Sequence, residues 1–385
     1  MFVVTTRPRY RIDLRWAWNR DTQSAAADTL VALSASLWED RVTDGRVRQL
    51  PTTRAEVASR AQVSPAVVSY VLNDGPRPVA PATRERVLKA IQELGYRPNA
   101  VARALVLRRT ETIGLVVPDN SNPYFAELAK AIEDVAYSAG YAMVLGNSSN
   151  DSHRESAQLR TLSERQVDGL LFIGSSSHPD LSRLRGSGIP VVLLDRTSDD
   201  DSFPSVVVDN RAGARAGVEH LIRHGHRRVA CIGGPEDLPA AAEREAGWRQ
   251  ALRTHRIARA GVLERSPFSR AGGYAATRRL LSSDERPSAI FASSDLQGIG
   301  ALRACHEAGL RVPDDVALLA FDGTQESEYT TPPLSVICQP VNEIAARSLE
   351  ILLADDGQQT RGHVVLQPTL KLRRSCGCSS GQPTP

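Results

Sequence analysis

The sequence predicts an α/β protein with a small helical unit near the N-terminus and a larger unit built on parallel sheets. Two observations carry this prediction. Short stretches with helical spacing of apolar residues run from Thr52 to Tyr96. From Thr112 onward, β-branched runs alternate with amphipathic stretches, a pattern typical of βαβ units. At 385 residues the chain is too long for one compact core, so two or three folding units are expected.

Composition and charge are those of an ordinary globular protein, with 41% hydrophobic and 24% charged residues. No apolar run approaches the roughly 20 residues of a transmembrane helix, and the start lacks the apolar stretch of a secretory signal. Five scattered cysteines fit reduced thiols, so we expect a cytoplasmic protein without a membrane partner. The net charge is +3, and basic residues gather between Arg46 and Arg109. This clustering indicates a polyanion partner for that segment or, alternatively, a solvated charged face.

Residues 51–98 are predicted to form three short helices. The first opens with a capping box formed by Thr53 and Glu56. Ser64 then caps a second helix that has Pro65 at its first position. The expected inward-facing side chains of the three helices are Val57, Ala58, Ala61, Val67, Val68, Val71, Val87, Ile91 and Leu94.

The third helix starts near Pro81 and ends at Gly95, which serves as its C-cap. The turn between the first two helices falls at Gln62-Val63. A tight first turn between short helices is typical of a helix-turn-helix, although any small helical bundle could share it.

A specific pattern of residues runs through these three helices. The matching strings are Val57-Ala58, Ala61, Val63-Ser64, Val67-Val68-Ser69, Val71-Leu72-Asn73, Thr83-Arg84-Glu85-Arg86-Val87 and Leu94-Gly95-Tyr96-Arg97-Pro98-Asn99. In these positions the chain resembles the lac repressor (LacI/GalR) family of transcription regulators. The resemblance implies a helix-turn-helix headpiece over 51–98, whose second helix enters the major groove of operator DNA.

The resemblance also implies which headpiece residues contact DNA. Base-reading positions are occupied by Pro65, Ala66 and Tyr70. The remaining expected headpiece contacts are Thr53, Ser64, Ser69, Asn73, Thr83, Tyr96 and Asn99, most of them at phosphate-contacting positions.

The headpiece departs from the family pattern at three positions. Tyr70 replaces the arginine that most members carry, so the usual bidentate guanine contact is absent. Gln62 stands where glycine is common in the turn, and Ala80 stands where a serine often caps the third helix. These departures weaken any inference about operator sequence but leave the motif intact.

Residues 99–110 are predicted to be a hinge helix that Asn99 caps. Helices this short are marginal in water, so an interdomain linker is the alternative. In relatives this segment becomes helical on DNA and pairs with its dimer mate. The resemblance implies that Leu105 wedges between base pairs in the minor groove, with Ala102 and Arg103 beside it.

Residues 111–375 resemble the two-lobed type I periplasmic-binding-protein fold that follows the headpiece in this family. The strings that carry this resemblance include Asn122-Pro123-Tyr124-Phe125, Asp209-Asn210, Gly225-His226-Arg227-Arg228-Val229 and Phe321-Asp322. The expected strands are Ile113–Val117, Ala142–Leu145, Leu170–Ile173, Val191–Leu194, Val206–Val208, Val229–Ile232, Ile290–Ala292 and Val316–Phe321. The resemblance implies an effector-binding and dimerisation domain.

A group of polar residues follows the predicted strands, at the edge where open α/β sheets bind ligands. These residues are Asp119, Asn147, Asp195, Ser294, Asp295 and Asp322. The resemblance assigns effector contacts to Tyr124, Phe125, Arg244, Phe268 and Asp322, a combination that suits a sugar or sugar derivative. The alternatives are that Tyr124 or Phe125 belongs to the core and that Arg244 lies on a solvated helix face.

Two other function classes are less well supported by the sequence. A periplasmic sugar receptor would need an export signal and no headpiece. A hydrolase on the same fold would need a nucleophile, and Ser175-Ser176-Ser177-His178 lacks the G-x-S-x-G elbow and an adjacent base. We therefore expect no enzyme activity.

We expect neither a cofactor nor a metal. Cys376 and Cys378 fall short of the four ligands of a structural zinc site, and 376–385 is predicted to be a disordered tail. A homodimer is expected because one headpiece reads only a half-site. No leucine-heptad segment follows the sensor, so a tetramer is not expected.

The first 50 residues have no helical or strand periodicity, yet they contain the tryptophans Trp16, Trp18 and Trp38. In relatives the helix-turn-helix begins within a few residues of the start. Residues 1–50 are therefore predicted to be disordered or a mis-annotated extension, with Val42 or Val47 as the true start. The alternative is a genuine arginine-containing arm that lies along DNA.

Overall fold

The computed structural model describes residues 52–72, 77–98, 103–104, 109–175, 181–182, 184–195, 202–258, 261–354 and 362–378. The predictions for residues 1–50 and for most of the hinge fall outside these ranges. At Pro98 the chain divides into two compact units.

The N-terminal unit contains three helices, α1 (Arg54–Ala61), α2 (Pro65–Leu72) and α3 (Pro81–Leu94). Their shared core is built from seven valines and alanines and one tyrosine, namely Val57, Ala58, Ala61, Val68, Val71, Val87, Ala90 and Tyr96. Three predicted core positions are only half-buried: Ile91 and Leu94 pack at the edge of this core, whereas Val67 does not belong to it. Burial of the apolar stripes stabilises helices that would be marginal alone.

The first lobe of the second unit is a six-stranded parallel sheet in the order β11-β5-β4-β3-β1-β2. Its strands are β1 (Thr112–Val117), β2 (Ala142–Asn147), β3 (Gly169–Phe172), β4 (Val191–Leu194), β5 (Ser205–Val208) and β11 (His363–Leu366). Its helices are α4 (Pro123–Ser138), α5 (Ser152–Glu164) and α10 (Val341–Leu352). Two apolar clusters, one on each face of the sheet, form the core of this lobe.

The second lobe is a six-stranded sheet in the order β12-β10-β9-β8-β6-β7, in which only β12 is antiparallel to its neighbour. Its strands are β6 (Val229–Gly233), β7 (Leu263–Arg265), β8 (Ala289–Ala292), β9 (Ala317–Asp322), β10 (Ser335–Cys338) and β12 (Thr369–Lys371). Its helices are α6 (Asn210–Arg223), α7 (Pro239–Thr254), α8 (Arg270–Leu281) and α9 (Asp295–Glu307), with 3-10 turns at Gln325–Glu328 and Arg374–Cys376.

The chain passes between the two lobes three times. The crossings lie between β5 and α6, between β10 and α10, and between β11 and β12. A backbone hydrogen bond from Asp209 N to Leu366 O, at 2.9 Å, joins the first crossing to the third. Three short covalent connections allow the lobes to move about a shared hinge while each sheet stays intact.

The eight predicted strands are all present, with ends shifted by at most two residues. Four further strands, β7, β10, β11 and β12, have no counterpart in the prediction. β7 and β12 have three residues each and include charged side chains, and β10 and β11 each leave an apolar run of only three residues. The predicted disordered tail does not begin at residue 376. Cys376 and Cys378 are buried against the second lobe, which corrects that boundary to a later position.

Among the described residues, the helices lack the combination of length and apolar content needed to span a bilayer.

Candidate nucleic-acid interface and effector pocket

The helix-turn-helix begins at the predicted capping box. Thr53 N donates to Glu56 Oε2 at 2.6 Å, and Glu56 N donates to Thr53 Oγ1 at 3.3 Å. After α1 the chain turns through Gln62, which adopts a left-handed conformation with φ 55°. Glycine is common at this position in the family pattern because glycine adopts the left-handed conformation without steric strain.

The N-terminal turn of α2 presents the predicted base-reading residues. Pro65 and Ala66 are exposed, and Tyr70 is half-buried one turn later. Val68 and Val71 on the opposite face are buried in the headpiece core. The helix therefore offers a face of small side chains plus one phenol to a partner, without an arginine.

The other predicted DNA contacts differ in their surroundings. Ser64 is exposed, and Ser69 and Thr83 are half-buried. Tyr96 is only 8% exposed and packs in the headpiece core, so its ring serves folding. Asn73, Asn99, Ala102 and Leu105 lie outside the described residues.

Little of the predicted hinge helix is described. Arg103 and Ala104 are helical, and Arg103 Nη2 lies 2.5 Å from Glu111 Oε1. The carboxylate of Asp168 anchors the chain that follows, since it accepts from Thr110 N at 2.7 Å and from Glu111 N at 2.8 Å. The base of the hinge is thus fixed to the loop that leads into β3.

Arg244 on α7 lies at the centre of the predicted effector pocket. Its side chain is buried, so it does not lie on a solvated helix face. Nε donates to Asn210 Oδ1 at 2.7 Å, and Nη1 donates to Ser293 O at 2.6 Å and to Asp322 Oδ1 at 3.2 Å. Its Cζ also lies 3.9 Å from the ring centroid of Phe321, within cation–π range.

Asp322, the last residue of β9, has a strained backbone with φ 125°. Such strain is common at ligand sites because the surrounding structure must enforce it. Its carboxylate accepts from Gln339 Nε2 at 2.9 Å and from Asp295 N at 3.3 Å. Burial raises the pKa of Asp322 to about 6, against the lowering effect of the Arg244 charge.

Asp295, the first residue of α9, is paired electrostatically with Asp322. Burial and the nearby charge of Asp322 raise the pKa of Asp295 well above its usual value. Its Oδ2 accepts from both Thr324 N and Thr324 Oγ1 at 2.7 Å. Its Oδ1 and the neighbouring Gln339 Oε1 are buried without a hydrogen-bond partner among the described residues. Two oxygens of this cluster are therefore available to hydroxyl groups of a ligand.

The aromatic residues divide between core and pocket. Tyr124 is 5% exposed and packs in the core of the first lobe, in agreement with the core alternative. Burial is the main cause that raises the pKa of its phenol, and the charges of Asp195 and Asp322 raise it further. Phe125 contacts Tyr124 with ring centroids 5.2 Å apart.

Phe268 lies on the second-lobe side of this cluster. It is half-buried, and its ring centroid lies 5.9 Å from Arg244 Cζ. The ring packs so closely on Gly234 that a Cβ there would lie 2.3 Å from Phe268 Cζ. Only glycine at position 234 therefore leaves room for the Phe268 ring.

Three other predicted pocket residues have local structural roles. Asp119 Oδ1 accepts from Ser121 N at 2.9 Å, and Asn147 Oδ1 accepts from Asn120 N at 3.2 Å. Ser294 caps α9 through Gln297 N. Asp119 and Asn147 shape the loops after β1 and β2, and the Ser294 hydroxyl is committed to its helix.

Sequence reasoning missed Asn210 and Gln339, both buried partners of the central cluster. Asn210 had a usable signal, since it directly follows the Asp209 cap after a predicted strand. Gln339 had none, because the strand before it was not predicted.

Comparisons with known proteins agree with this architecture. Residues 53–99 match "Bacterial regulatory proteins, lacI family", and residues 110–361 match "Periplasmic binding proteins and sugar binding domain of LacI family". The chain is 37% identical over 331 residues to the HTH-type transcriptional repressor PurR of Erwinia tasmaniensis, covering 84% of this chain and 96% of that protein. It is 34% identical over 325 residues to the ribose operon repressor of Escherichia coli K12, covering 84% and 96% respectively.

A solved structure shares the fold. It is the lac repressor dimer bound to operator and the anti-inducer ONPF, with a TM-score of 0.76 and 28% sequence identity. The match covers 85% of this chain and 99% of that one. These relatives are transcriptional regulators. The chain therefore belongs to the lacI family of DNA-binding bacterial repressors, which respond to sugars or other small effectors.

Proposed function

We propose that this protein is a homodimeric transcriptional repressor whose operator affinity is controlled by a small polar effector, most simply a sugar. The observation that carries this proposal is the union, in one chain, of a helix-turn-helix unit with a two-lobed α/β unit that contains a buried Arg244–Asp322 cluster. Neither unit alone would connect a metabolite to transcription. Such a regulator acts on chromosomal DNA, so we place it in the cytoplasm.

The DNA-reading part of the proposal rests on α2 and on the hinge. Pro65, Ala66 and Tyr70 would contact base edges, while Thr53, Ser64, Ser69, Asn73 and Thr83 would position the headpiece on phosphates. The small side chains at the start of α2 favour close apolar contact, for example with thymine methyl groups. Leu105 would act as the minor-groove wedge.

The effector part rests on the chemistry around Arg244. A sugar presents hydroxyls that donate and accept hydrogen bonds and C–H faces that stack on aromatic rings. Asp322 and the free Oδ1 of Asp295 supply acceptors, and the guanidinium of Arg244 supplies donors. Phe268 supplies an aromatic face. The ribose operon repressor of Escherichia coli, one of the relatives, takes its name from a sugar, which is compatible with a polar ring as the ligand.

The cluster is also placed where ligand binding would bias the two lobes. Arg244 and Asp322 belong to the second lobe, Tyr124 to the first, and Asn210 and Gln339 to the crossings between them. A ligand that contacts all of these groups would favour one relative arrangement of the lobes. We propose that this shift reaches the hinge at residues 99–110 and changes operator affinity.

We infer that the chain has no catalytic activity. The carboxylate pair Asp295–Asp322 could in principle perform acid–base chemistry. However, Asp322 is engaged by Arg244 and Gln339, and Asp295 by Thr324. These contacts suit binding of an unchanged ligand.

The proposal is tested by selecting genomic fragments with the full-length protein and screening sugars and nucleosides by thermal shift. We expect one palindromic operator, bound at least ~10³-fold more tightly than random DNA. Leu105→Ala should weaken operator binding while leaving random-DNA binding largely intact, because the latter depends on phosphate charge. Equal losses on both DNAs would exclude the wedge role, and absence of any preferred sequence would overturn the proposal.

A further inference from the structure

Two histidines and two cysteines converge beside the C-terminal end of α6. His220 lies in the last turn of that helix and His224 is its C-cap. Cys376 ends the 3-10 turn Arg374–Cys376, and Cys378 follows two residues later. The pairs are separated by more than 150 positions in the sequence, so only the fold brings them together.

The geometry of the cluster is close to that of a tetrahedral metal site. Cys378 Sγ lies 3.5 Å from both His220 Nε2 and His224 Nε2. Zinc bonds of about 2.3 Å to sulfur and 2.0–2.1 Å to nitrogen at tetrahedral angles place sulfur and nitrogen about 3.6 Å apart. The ligand atoms of His220, Cys376 and Cys378 all lie within 4.8 Å of one another. Side-chain rotations that move these three atoms and His224 Nε2 would bring all four to zinc-bonding distances.

The backbone between the two cysteines makes a turn that directs both thiols toward α6. Gly377 has φ 92°, a left-handed conformation that side chains rarely adopt. A Cβ there would meet only His224 Nδ1, at 3.8 Å, so the requirement for glycine is conformational and not steric. This turn brings Cys376 and Cys378 to the same side of α6.

The cluster lies at the edge of the apolar core of the second lobe, of which Cys376 and Cys378 are part. His220, Cys376 and Cys378 are buried, and His224 closes the cluster at the surface. The cysteines already take part in hydrogen bonds: Cys376 Sγ donates to Arg373 O at 3.4 Å, and Cys378 Sγ can donate to one imidazole while it accepts from the other, so zinc would replace these bonds.

We propose that His220, His224, Cys376 and Cys378 bind one zinc ion that fastens the C-terminal turn to α6. Two thiolates and two imidazoles are a closed tetrahedral ligand set, which is typical of a structural site and not of a catalytic one. Binding would release protons from the thiols. The same helix begins at Asn210, the partner of Arg244, so the metal would fix the end of α6 remote from the effector pocket.

The test uses full-length protein produced without a polyhistidine tag, because a tag itself binds zinc. Metal content is measured by plasma mass spectrometry after gel filtration, and the zinc-free protein is titrated with Co²⁺. We expect one zinc per chain and the visible absorption of tetrahedral, thiolate-ligated cobalt. Removal of zinc by a chelator should lower the Tm by roughly 5 °C or more, because the ion binds only the folded state.

Matched variants separate the site from incidental binding. His224→Ala and Cys376→Ser should lose stoichiometric zinc and the chelator-induced change in Tm. His306→Ala, an exposed histidine in the last turn of α9, and Cys338→Ser, a half-buried thiol elsewhere, should retain both. Wild-type protein that binds neither zinc nor cobalt would overturn the proposal, as would equal metal content in all four variants.

Discussion

Arg244 combines several interactions that a lysine could not reproduce. Its planar guanidinium reaches Asn210, Ser293 and Asp322 from one position and stacks on Phe321. These contacts hold donors in a fixed orientation within a buried site, where each unpaired group would be costly. The residue thus links the hinge crossing at Asn210 to the carboxylate at the end of β9.

We expect Arg244→Lys to lower effector affinity by about 10–100-fold, the effect of losing one or two charged hydrogen bonds. Operator affinity without effector should change little, because the substitution leaves the headpiece untouched. Isothermal titration with the effector from the thermal-shift screen measures the first quantity. Arg249→Lys is the matched control, since Arg249 lies on the same helix with its side chain 43% exposed. Similar losses in both variants would remove Arg244 from the pocket.

The raised pKa of Asp322 predicts a specific dependence of stability on pH. Its folded-state pKa is about 6, above the ordinary value of 3.8, so the folded state holds the proton more tightly. The resulting stabilisation is complete below about pH 4 and is lost as the pH rises through 6.

Urea unfolding of wild type and Asp322→Asn between pH 4 and 7 measures this contribution. We expect the free energy of unfolding to fall less steeply with rising pH in the variant, because its amide does not titrate. Parallel pH profiles would show that Asp322 titrates in the folded state as it does when unfolded.

At the scale of elements, the turn between α1 and α2 has a residue type that is unfavourable for the backbone conformation it adopts. Gln62 adopts a left-handed conformation between α1 and α2, where glycine would avoid a steric penalty. We expect Gln62→Gly to stabilise the headpiece by about 0.5–1 kcal/mol, which corresponds to roughly 2–5-fold slower exchange of its protected amides. Hydrogen exchange of the full chain, followed by mass spectrometry, measures this change.

Gln92→Gly is the matched control, because Gln92 is exposed within α3 and adopts a regular helical conformation. Glycine there should destabilise by about 1 kcal/mol. If both substitutions change exchange in the same direction, the conformational explanation of the turn is wrong.

The elements also show what could be predicted from the sequence. Buried strands such as β4, Val191–Leu194, were found because four consecutive β-branched or leucine residues leave little ambiguity. β7 and β12 have three residues each and include charged side chains, so their strand character comes from pairing with a neighbour.

The candidate sites could be predicted only where their residues belong to a recognisable sequence pattern. Arg244 and Asp322 were found through the family pattern. The cluster of His220, His224, Cys376 and Cys378 was not, because its two halves meet only when the last turn packs against α6. The spacing of residues within a short stretch of sequence does not predict a contact between segments this far apart in the chain.

At the scale of the sensor, three crossings join the two lobes, and direct contacts between the lobes also occur among the described residues. One direct contact among the described residues is the hydrogen bond from Gln325 N, in the second lobe, to Glu127 Oε1 on α4, at 2.8 Å. Both residues are exposed or half-buried, so the bond is worth only about 0.5–1.5 kcal/mol. A contact of this strength can be made and broken as the lobes move, which leaves the equilibrium responsive to a ligand.

If effector and operator communicate through that movement, their binding free energies must be coupled reciprocally. The factor by which saturating effector changes the operator Kd must equal the factor by which operator changes the effector Kd. We expect a factor of about 5–150, measured by fluorescence anisotropy and isothermal titration at one salt concentration, because operator affinity depends steeply on salt. Glu127→Gln should alter both factors equally, since it weakens a bond between the lobes and touches neither site. A factor of one in both directions would mean that the pocket does not control the headpiece, and unequal factors would mean that the two measurements report different conformational states.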